Sequence, residues 1–222
     1  MTVADLKKEI SDAFKTYAAA PHRTKFTPIP KTLTDGKLYE AYILGLLAEN
    51  LTTQEGLTLR LVASSKIRLR SSPGPIDRRF PHIDVFRNSN RIAELWTDIE
   101  FLTLSYERRG SPAIKTSGDF HELDILMLEP GLTGNPQHNS IWLGVECKNT
   151  MYEKSLLKQV LGVRREMCLL DEFNRTKFQF WPRTTVPASP PSCLLVYSTD
   201  TNVSNYSSPG NTFGIDFFCE SI

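Results

Sequence analysis

The sequence lacks the features that mark several protein classes. Its four cysteines are far apart and form no Cys-x-x-Cys pair, which favours reduced thiols over a disulfide framework or a zinc cluster. No apolar run approaches the roughly 18 residues that a membrane-spanning helix needs, and the first residues are charged rather than signal-like. The net charge of +1 argues against a polycation, so any affinity for nucleic acid has to come from local basic patches. We therefore expect a cytoplasmic protein that does not associate with membranes.

Several common catalytic motifs are also missing. There is no Gly-x-x-x-x-Gly-Lys phosphate loop, no Gly-x-Ser-x-Gly nucleophile elbow and no His-Glu-x-x-His zinc helix. Neither an internal repeat nor a low-complexity tract is present. A content of 40% hydrophobic and 23% charged residues is ordinary for a globular protein, and 222 residues suffice for one sizeable core.

Two apolar runs in the middle of the chain carry charged residues. The run from Leu123 to Leu128 contains Asp124, and the run from Ile141 to Val145 is followed by Glu146, Cys147 and Lys148. We predict two strands joined by an exposed loop. Because alternate side chains of a strand share a face, Glu146 and Lys148 should point the same way and Cys147 the other way.

If these strands pair, Asp124 comes beside Glu146. Two bare carboxylates about 4 Å apart repel by about 1 kcal/mol in water and by about 4 kcal/mol at an effective dielectric constant of 20. A divalent cation would offset this repulsion, since Mg²⁺ is commonly held by one or two carboxylates together with water and substrate phosphates.

An acidic residue on one strand followed by Glu-x-Lys at the end of the next resembles the motif of the PD-(D/E)XK nuclease superfamily. Asp124, Glu146 and Lys148 match its three positions, within a region from about Thr34 to Thr199. The resemblance implies the restriction-endonuclease-like α/β fold, a mixed central sheet flanked by helices in the order α-β-β-β-α-β. It also implies Mg²⁺, with Mn²⁺ as a substitute, held by Asp124, Glu146 and the backbone carbonyl of Cys147.

The activity implied by this resemblance is metal-dependent endonucleolytic hydrolysis of DNA, with Lys148 orienting or deprotonating the attacking water. By analogy, the protein would serve bacterial defence or restriction, as a homodimer or with a partner subunit that supplies target choice. Two alternatives stay open at this fold: an inactive nucleic-acid-binding or assembly module, and a nuclease that acts on RNA. From the residues alone, Glu146 and Lys148 could also be a solvated ion pair.

Three further residues match places that the superfamily often uses. Glu40 lies on a predicted helix from Asp35 to Asn50, where a glutamate can face the metal or merely favour the helix dipole. Gln159 lies on a predicted helix from Lys154 to Glu172, near the expected position of the substrate backbone. Glu122, two residues before Asp124, is a possible extra acidic ligand.

The chain divides into an N-terminal helix with a proline-rich linker, residues 1–33, and a nuclease-like domain, residues 34–222, with a basic, loop-rich insertion at about 64–91. The pair His82 and Asp84 could bind a metal, although this spacing is common by chance. Arginines of the insertion and of two later segments could neutralise phosphates or could be ordinary surface charges. These candidates are Arg68, Arg70, Arg78, Arg79, Arg108, Arg109, Arg164 and Arg165.

Overall fold

The structure is a computed structural model that describes residues 2–18, 34–62, 69–70, 72–170, 177–182 and 188–222. Within these ranges the chain forms five α-helices and nine β-strands. In order, they are α1 Val3–Tyr17, α2 Asp35–Thr53, β1 Thr58–Val62, β2 His82–Arg87, β3 Asn90–Leu102, α3 Leu104–Arg108, β4 Phe120–Leu128, β5 Ile141–Lys148, α4 Lys154–Met167, β6 Leu169–Leu170, β7 Ala188–Ser189, β8 Cys193–Ser198, α5 Ser207–Thr212 and β9 Ile215–Cys219.

A mixed sheet of seven strands forms the centre of the fold, in the order β1-β2-β3-β4-β5-β8-β9. Neighbours from β1 to β5 are antiparallel, whereas β8 runs parallel to β5 and β9 parallel to β8. A parallel pair needs a long crossover, and α4 lies in the connection between β5 and β8. The short strands β6 and β7 pair with each other in a separate ladder.

Two apolar layers cover the two faces of this sheet. On one face, α1 and α2 pack onto the sheet through a cluster that includes Ile43 and Val145. On the other face, α4 packs through a cluster that includes Val160 and Leu194. We call these the α2 face and the α4 face. Gly144 helps the sheet pack closely on the α4 face, because a Cβ there would come within 2.7 Å of the Leu123 side chain.

Most elements confirm the sequence predictions. The helix at the N-terminus, α2, and the strands around Asp124 and Glu146 all form, and the α/β class with helices flanking a mixed sheet is confirmed. Strand β2 lies within the segment that was predicted to be a loop-rich insertion, and the structure pairs it with β1 and β3. Helix α4 ends at Met167 rather than continuing toward Glu172.

The N-terminal helix α1 joins the main core. Its buried side chains Leu6, Ile10 and Phe14 belong to the same apolar cluster as those of α2. Thr2 caps the helix by accepting a hydrogen bond from the Asp5 N–H, while the Asp5 carboxylate accepts one from the Thr2 N–H. The proline-rich stretch that was predicted to be a linker lies outside the described residues.

Among the described residues, no helix combines the length and the apolar character that crossing a membrane requires.

Candidate active site

The candidate site lies where strands β4 and β5 stop pairing. Their ladder runs from Leu128 to Ile125, which is paired with Val145, and Asp124 and Glu146 are the next residues beyond it. The Cys147 N–H of β5 donates to Oδ2 of the Asp124 side chain at 2.6 Å, where a continued ladder would provide a backbone carbonyl. The Asp124 carboxylate is therefore held between the ends of the two strands.

Asp124 lies opposite a second aspartate, Asp98 of β3. The register on either side pairs Thr97 with Ile125 and Ile99 with Leu123. At this point both strands change the face to which their side chains point. Leu95 of β3 and Ile125 of β4 belong to the α2 face. In regular strands, Ile99 and Leu123, which are four and two residues away, would point to that same face, yet both belong to the α4 face. The switch occurs at the two aspartates.

The backbone of Asp98 makes this switch possible. Its φ of 53° lies in the left-handed region, which is rare for a residue other than glycine and costs on the order of 1–3 kcal/mol. Its side chain is 5% exposed. Within the described residues, its Oδ2 atom is buried without a hydrogen-bond partner. A strained aspartate with one unpartnered oxygen is a feature that packing alone does not explain.

Helix α2 adds one carboxylate and one ammonium group to this place. Thr34 caps the helix by accepting the Lys37 N–H, so Lys37 and Glu40 lie near its N-terminal end. The Lys37 Nζ donates to Glu40 Oε2 at 2.7 Å and also to Asp98 Oδ1. Glu40, Asp98 and Asp124 each offer an oxygen within 4.8 Å of the others, so these three carboxylates form one cluster that could hold a metal ion.

Glu146 and Lys148 form a partly buried ion pair next to this cluster, with Lys148 Nζ 2.6 Å from Glu146 Oε2. Glu146 pairs in register with Val196 of the α4 face, and Cys147 pairs with Tyr197 of the α2 face. The alternation that the sequence predicted is therefore present. Glu146 and Lys148 approach from the α4 face and Glu40 and Asp98 from the α2 face, with Asp124 held between the strands.

The pKa values show how strongly these charges are concentrated. Burial raises the pKa of Glu40 to about 7, and the nearby Asp124 and Asp98 add to the rise while Lys37 opposes it. Burial likewise raises the pKa of Asp98. The pKa of Glu146 is raised by burial and further by Asp124 and Glu122, against the effect of Lys148. Binding of a proton or a cation would therefore stabilise each of these carboxylates.

The pKa values of the two lysines are also raised, which favours their charged form. Burial alone would lower the pKa of Lys37, but Asp98 and Glu40 raise it overall. Burial also acts to lower the pKa of Lys148, and Glu146 beside it outweighs that effect and raises it. Both side chains therefore stay charged at neutral pH. At Lys148 the nearby carboxylates thus outweigh desolvation, a balance that the sequence left open.

The charges of the site do not balance. The three clustered carboxylates, on Glu40, Asp98 and Asp124, and the neighbouring Glu146, which lies outside the cluster, stand against two ammonium groups, and 4 − 2 leaves two negative charges when all are ionised. The unpartnered Oδ2 of Asp98 adds a free acceptor. Both observations fit a hard divalent cation with oxygen ligands.

A second cluster of possible ligands, His82, Asp84 and Glu94, has a different character. Both oxygens of Glu94 already accept hydrogen bonds, from the guanidinium of Arg78, the indole of Trp96 and the N–H of Gly131. Arg91 pairs with Asp84 and Glu94. The His82 ring stacks on Trp96 at 4.3 Å between ring centroids. This cluster is a neutralised structural network, not a place for a metal.

No protein-family model, no curated protein and no solved structure matches this chain. The chemistry of the site has to be inferred from its own geometry.

Two of the arginines that the sequence suggested as phosphate contacts have structural partners instead. Arg164 is 2% exposed and donates to the carbonyls of Phe213 and Ser192 and to the Ser192 hydroxyl, so its assignment to nucleic-acid binding is wrong. Arg78 binds the buried Glu94 with both terminal nitrogens and donates to the Leu132 carbonyl.

The remaining arginines differ in their exposure and in the partners of their guanidinium groups. Arg70 donates to the Pro75 carbonyl and lies over the Phe80 ring, and Arg109 pairs with the buried Asp119. Arg79 is exposed and pairs with Asp77. The exposed Arg108 and Arg165 form no ion pair with any residue that the structure describes, and Arg68 lies outside the described residues.

The other predicted residues, Glu122 and Gln159, are exposed at the surface. Glu122 is exposed on β4, opposite Glu100 of β3, and is close enough to Glu146 to raise its pKa. Gln159 is exposed on α4.

Sequence reasoning missed Asp98 and Lys37. Asp98 had little signal, because Glu94 and Glu100 lie on the same strand and nothing in the alternation distinguishes Asp98 from them. Lys37 had none, since a lysine in the first turn of a helix is ordinarily a solvated charge.

Proposed function

We propose that this chain is a metal-dependent nuclease of the PD-(D/E)XK type that hydrolyses phosphodiester bonds of DNA. The observation that carries the proposal is the meeting of Asp124 with the Glu146–Lys148 pair at the separating ends of two adjacent strands. Glu40 of α2 lies in the same cluster as Asp124. An isolated Glu-x-Lys is common in sequences, so the proposal depends on the acids that lie around it here.

The order of elements supports the same proposal. Helix α2, the antiparallel strands β3, β4 and β5, helix α4 and the parallel strand β8 occur in the order α-β-β-β-α-β, with β1, β2, α3, β6 and β7 in the connections between them. Strands β1, β2 and β9 extend the sheet on its two sides. In this interpretation they are additions to a restriction-endonuclease-like core.

Asp124, Asp98 and Glu40 would hold the cation, with Glu146 and the Cys147 carbonyl as further oxygen donors at the end of β5. A bound Mg²⁺ would act as a Lewis acid toward the phosphate and lower the pKa of a water molecule. The hydrogen bond from Cys147 fixes the orientation of Asp124, because it ties a side chain of β4 to the backbone of β5.

Lys148 has an electrostatic role in this proposal. Its ammonium group stays charged because Glu146 lies 2.6 Å from it, so it offers positive charge and hydrogen-bond donors to a phosphate oxygen. Preorganised charge of this kind, aimed at the place where negative charge develops, is a major source of rate enhancement. Glu146 in turn keeps the lysine side chain in position.

Helix α4 offers a surface for the nucleic-acid backbone. Lys154, Lys158 and Arg165 are exposed, and their helical spacing of four and seven residues puts them on one side. They form no ion pair with the residues that the structure describes. The helix begins six residues after Lys148, so this basic stripe extends from the neighbourhood of the site.

Cleavage assays on supercoiled plasmid and on a matched RNA would test this proposal. We expect Mg²⁺-dependent nicking or cutting of DNA that EDTA abolishes and that falls by at least about 100-fold in Asp124→Asn and in Lys148→Met. Asp12→Asn, which removes an exposed carboxylate of α1, is the matched control and should keep the wild-type rate.

Three results would change the proposal. Undiminished DNA cleavage by Asp124→Asn or Lys148→Met would refute the assignment of the site. Cleavage of the RNA alone would redirect it to a ribonuclease. Binding of DNA without cleavage of either substrate would favour an inactive nucleic-acid-binding module on the same architecture.

A further inference from the structure

Lys37 occupies one end of the carboxylate cluster as a cation that belongs to the chain. Its Nζ contacts Glu40 Oε2 at 2.7 Å and also contacts Asp98 Oδ1. The Lys37 side chain is 22% exposed, while that of Asp98 is 5% exposed. A lysine at the protein surface could extend into water, yet this one is directed inward and bridges two buried carboxylates.

The two oxygens of Asp98 have different surroundings. Oδ1 accepts from Lys37, whereas Oδ2 is buried without a partner among the described residues. The Lys37 ammonium group therefore contacts one carboxylate oxygen of Asp98, while the other oxygen can accept a ligand. The left-handed backbone of Asp98 keeps the carboxylate in this position.

The charge balance limits what else can bind. With Lys37 and Lys148 charged, the four carboxylates leave an excess of two negative charges, which a single divalent ion neutralises. Without Lys37 the excess would be three, and the oxygens that now contact its ammonium would be available. Two-metal sites place their ions about 3.5–4 Å apart, a distance comparable to the size of this cluster.

Building on the proposed function, we propose that Lys37 takes the place of a second metal ion, so that the site binds one divalent cation and removal of the lysine charge creates a second cation position between Glu40 and Asp98. Lys37 is a positioning and charge-compensating residue in this account. Lys37 would neutralise part of the negative charge, so that one ion, bound by the carboxylate oxygens that do not contact the lysine, neutralises the rest.

The test counts Mn²⁺ ions bound to the full chain, by isothermal titration calorimetry and by the loss of the electron paramagnetic resonance signal of free Mn²⁺. We expect one ion for the wild type and two for Lys37→Met, which keeps the side-chain length and removes the charge. Lys37→Arg keeps the charge and should bind one ion.

The outcomes separate this inference from the proposed function. One ion in both the wild type and Lys37→Met, or two ions in the wild type, would overturn the role of Lys37 and leave the nuclease proposal standing. No bound ion in the wild type would overturn both. Thermal unfolding monitored by circular dichroism checks that Lys37→Met is folded, and if it is not, Lys37→Gln, which also removes the charge, takes its place in the count.

Discussion

The backbone N–H of Cys147 donates to Oδ2 of Asp124 at 2.6 Å, so a side chain of β4 takes the position of a strand partner for β5. The Asp124 carboxylate thereby lies in the gap where the two strands diverge. Asp98, opposite it on β3, marks the place where that strand also changes face. Two irregularities in adjacent strand pairs thus bring acidic side chains to one end of the sheet.

The titration of Glu40 should make the metal-free protein less stable as the pH rises. The pKa of Glu40 rises from its ordinary value of 4.5 to about 7 on folding, so between these values the native state holds a proton that the unfolded state has lost. Unfolding is then favoured as the pH increases, and the loss is complete above about pH 7. At 1.36 kcal/mol per pKa unit, Glu40 contributes on the order of 3 kcal/mol.

Urea unfolding in EDTA at pH 5 and pH 7.5 measures this effect. Glu40→Gln removes the titrating group, so we expect a smaller fall in its free energy of unfolding, while Glu9→Gln, an exposed control on α1, should behave as the wild type does. Saturating Mn²⁺ at pH 7.5 should restore stability, by about 2.7 kcal/mol at 100 times the dissociation constant. An equal fall in Glu40→Gln and the wild type would contradict the explanation.

Arg164 and Arg165 are adjacent in sequence but should respond differently to substitution. Arg164→Ala leaves the Phe213 carbonyl and the buried carbonyl and hydroxyl of Ser192 without their donor, and we expect a loss of about 3 kcal/mol or more. For a chain of this size that corresponds to a decrease in Tm of roughly 6–12 °C. Arg165→Ala should change the free energy of unfolding by less than about 0.5 kcal/mol.

Scanning calorimetry on the two variants decides this comparison. Similar melting temperatures for Arg164→Ala and Arg165→Ala would show that the buried hydrogen bonds of Arg164 contribute little.

The basic stripe on α4 should set the salt dependence of DNA binding. Each phosphate contact contributes about 0.9 to the slope of log K against log salt concentration for duplex DNA. Replacing Lys154, Lys158 and Arg165 together by glutamine should therefore weaken binding and reduce the slope by up to about 2.7. Lys8→Gln, an exposed lysine on α1 at the opposite face of the sheet, is the control.

Fluorescence anisotropy in EDTA, at several salt concentrations, measures these slopes without cleavage. An unchanged slope in the triple variant would show that DNA does not follow α4.

The sequence indicated the elements around the site well, because strong apolar periodicity gives both the type and the approximate position of a strand or helix. Asp124, Glu146 and Lys148 could be singled out since each interrupts or ends an apolar strand. Asp98 could not be assigned to the site from the sequence. Its role depends on a left-handed backbone and on a change of strand face, and regular alternation does not predict either.

Arg164 shows a signal that was present but overlooked. The buried positions of α4 are Leu157, Val160, Arg164 and Met167, spaced by three and four residues, so Arg164 lies on the apolar stripe. A charged residue on such a stripe needs buried partners. Here they come from the segments around Ser192 and Phe213, which are distant in sequence and become neighbours only in the folded sheet.

Crystals soaked in Mn²⁺ and measured for anomalous scattering would test the central claim most directly, namely that carboxylates from α2, β3, β4 and β5 surround one divalent ion. The account predicts a single peak bonded to Asp124 and to at least one of Glu40, Asp98 and Glu146, at oxygen distances near 2.0–2.2 Å. A peak at His82, Asp84 and Glu94 instead, or no peak beside Asp124, would contradict it.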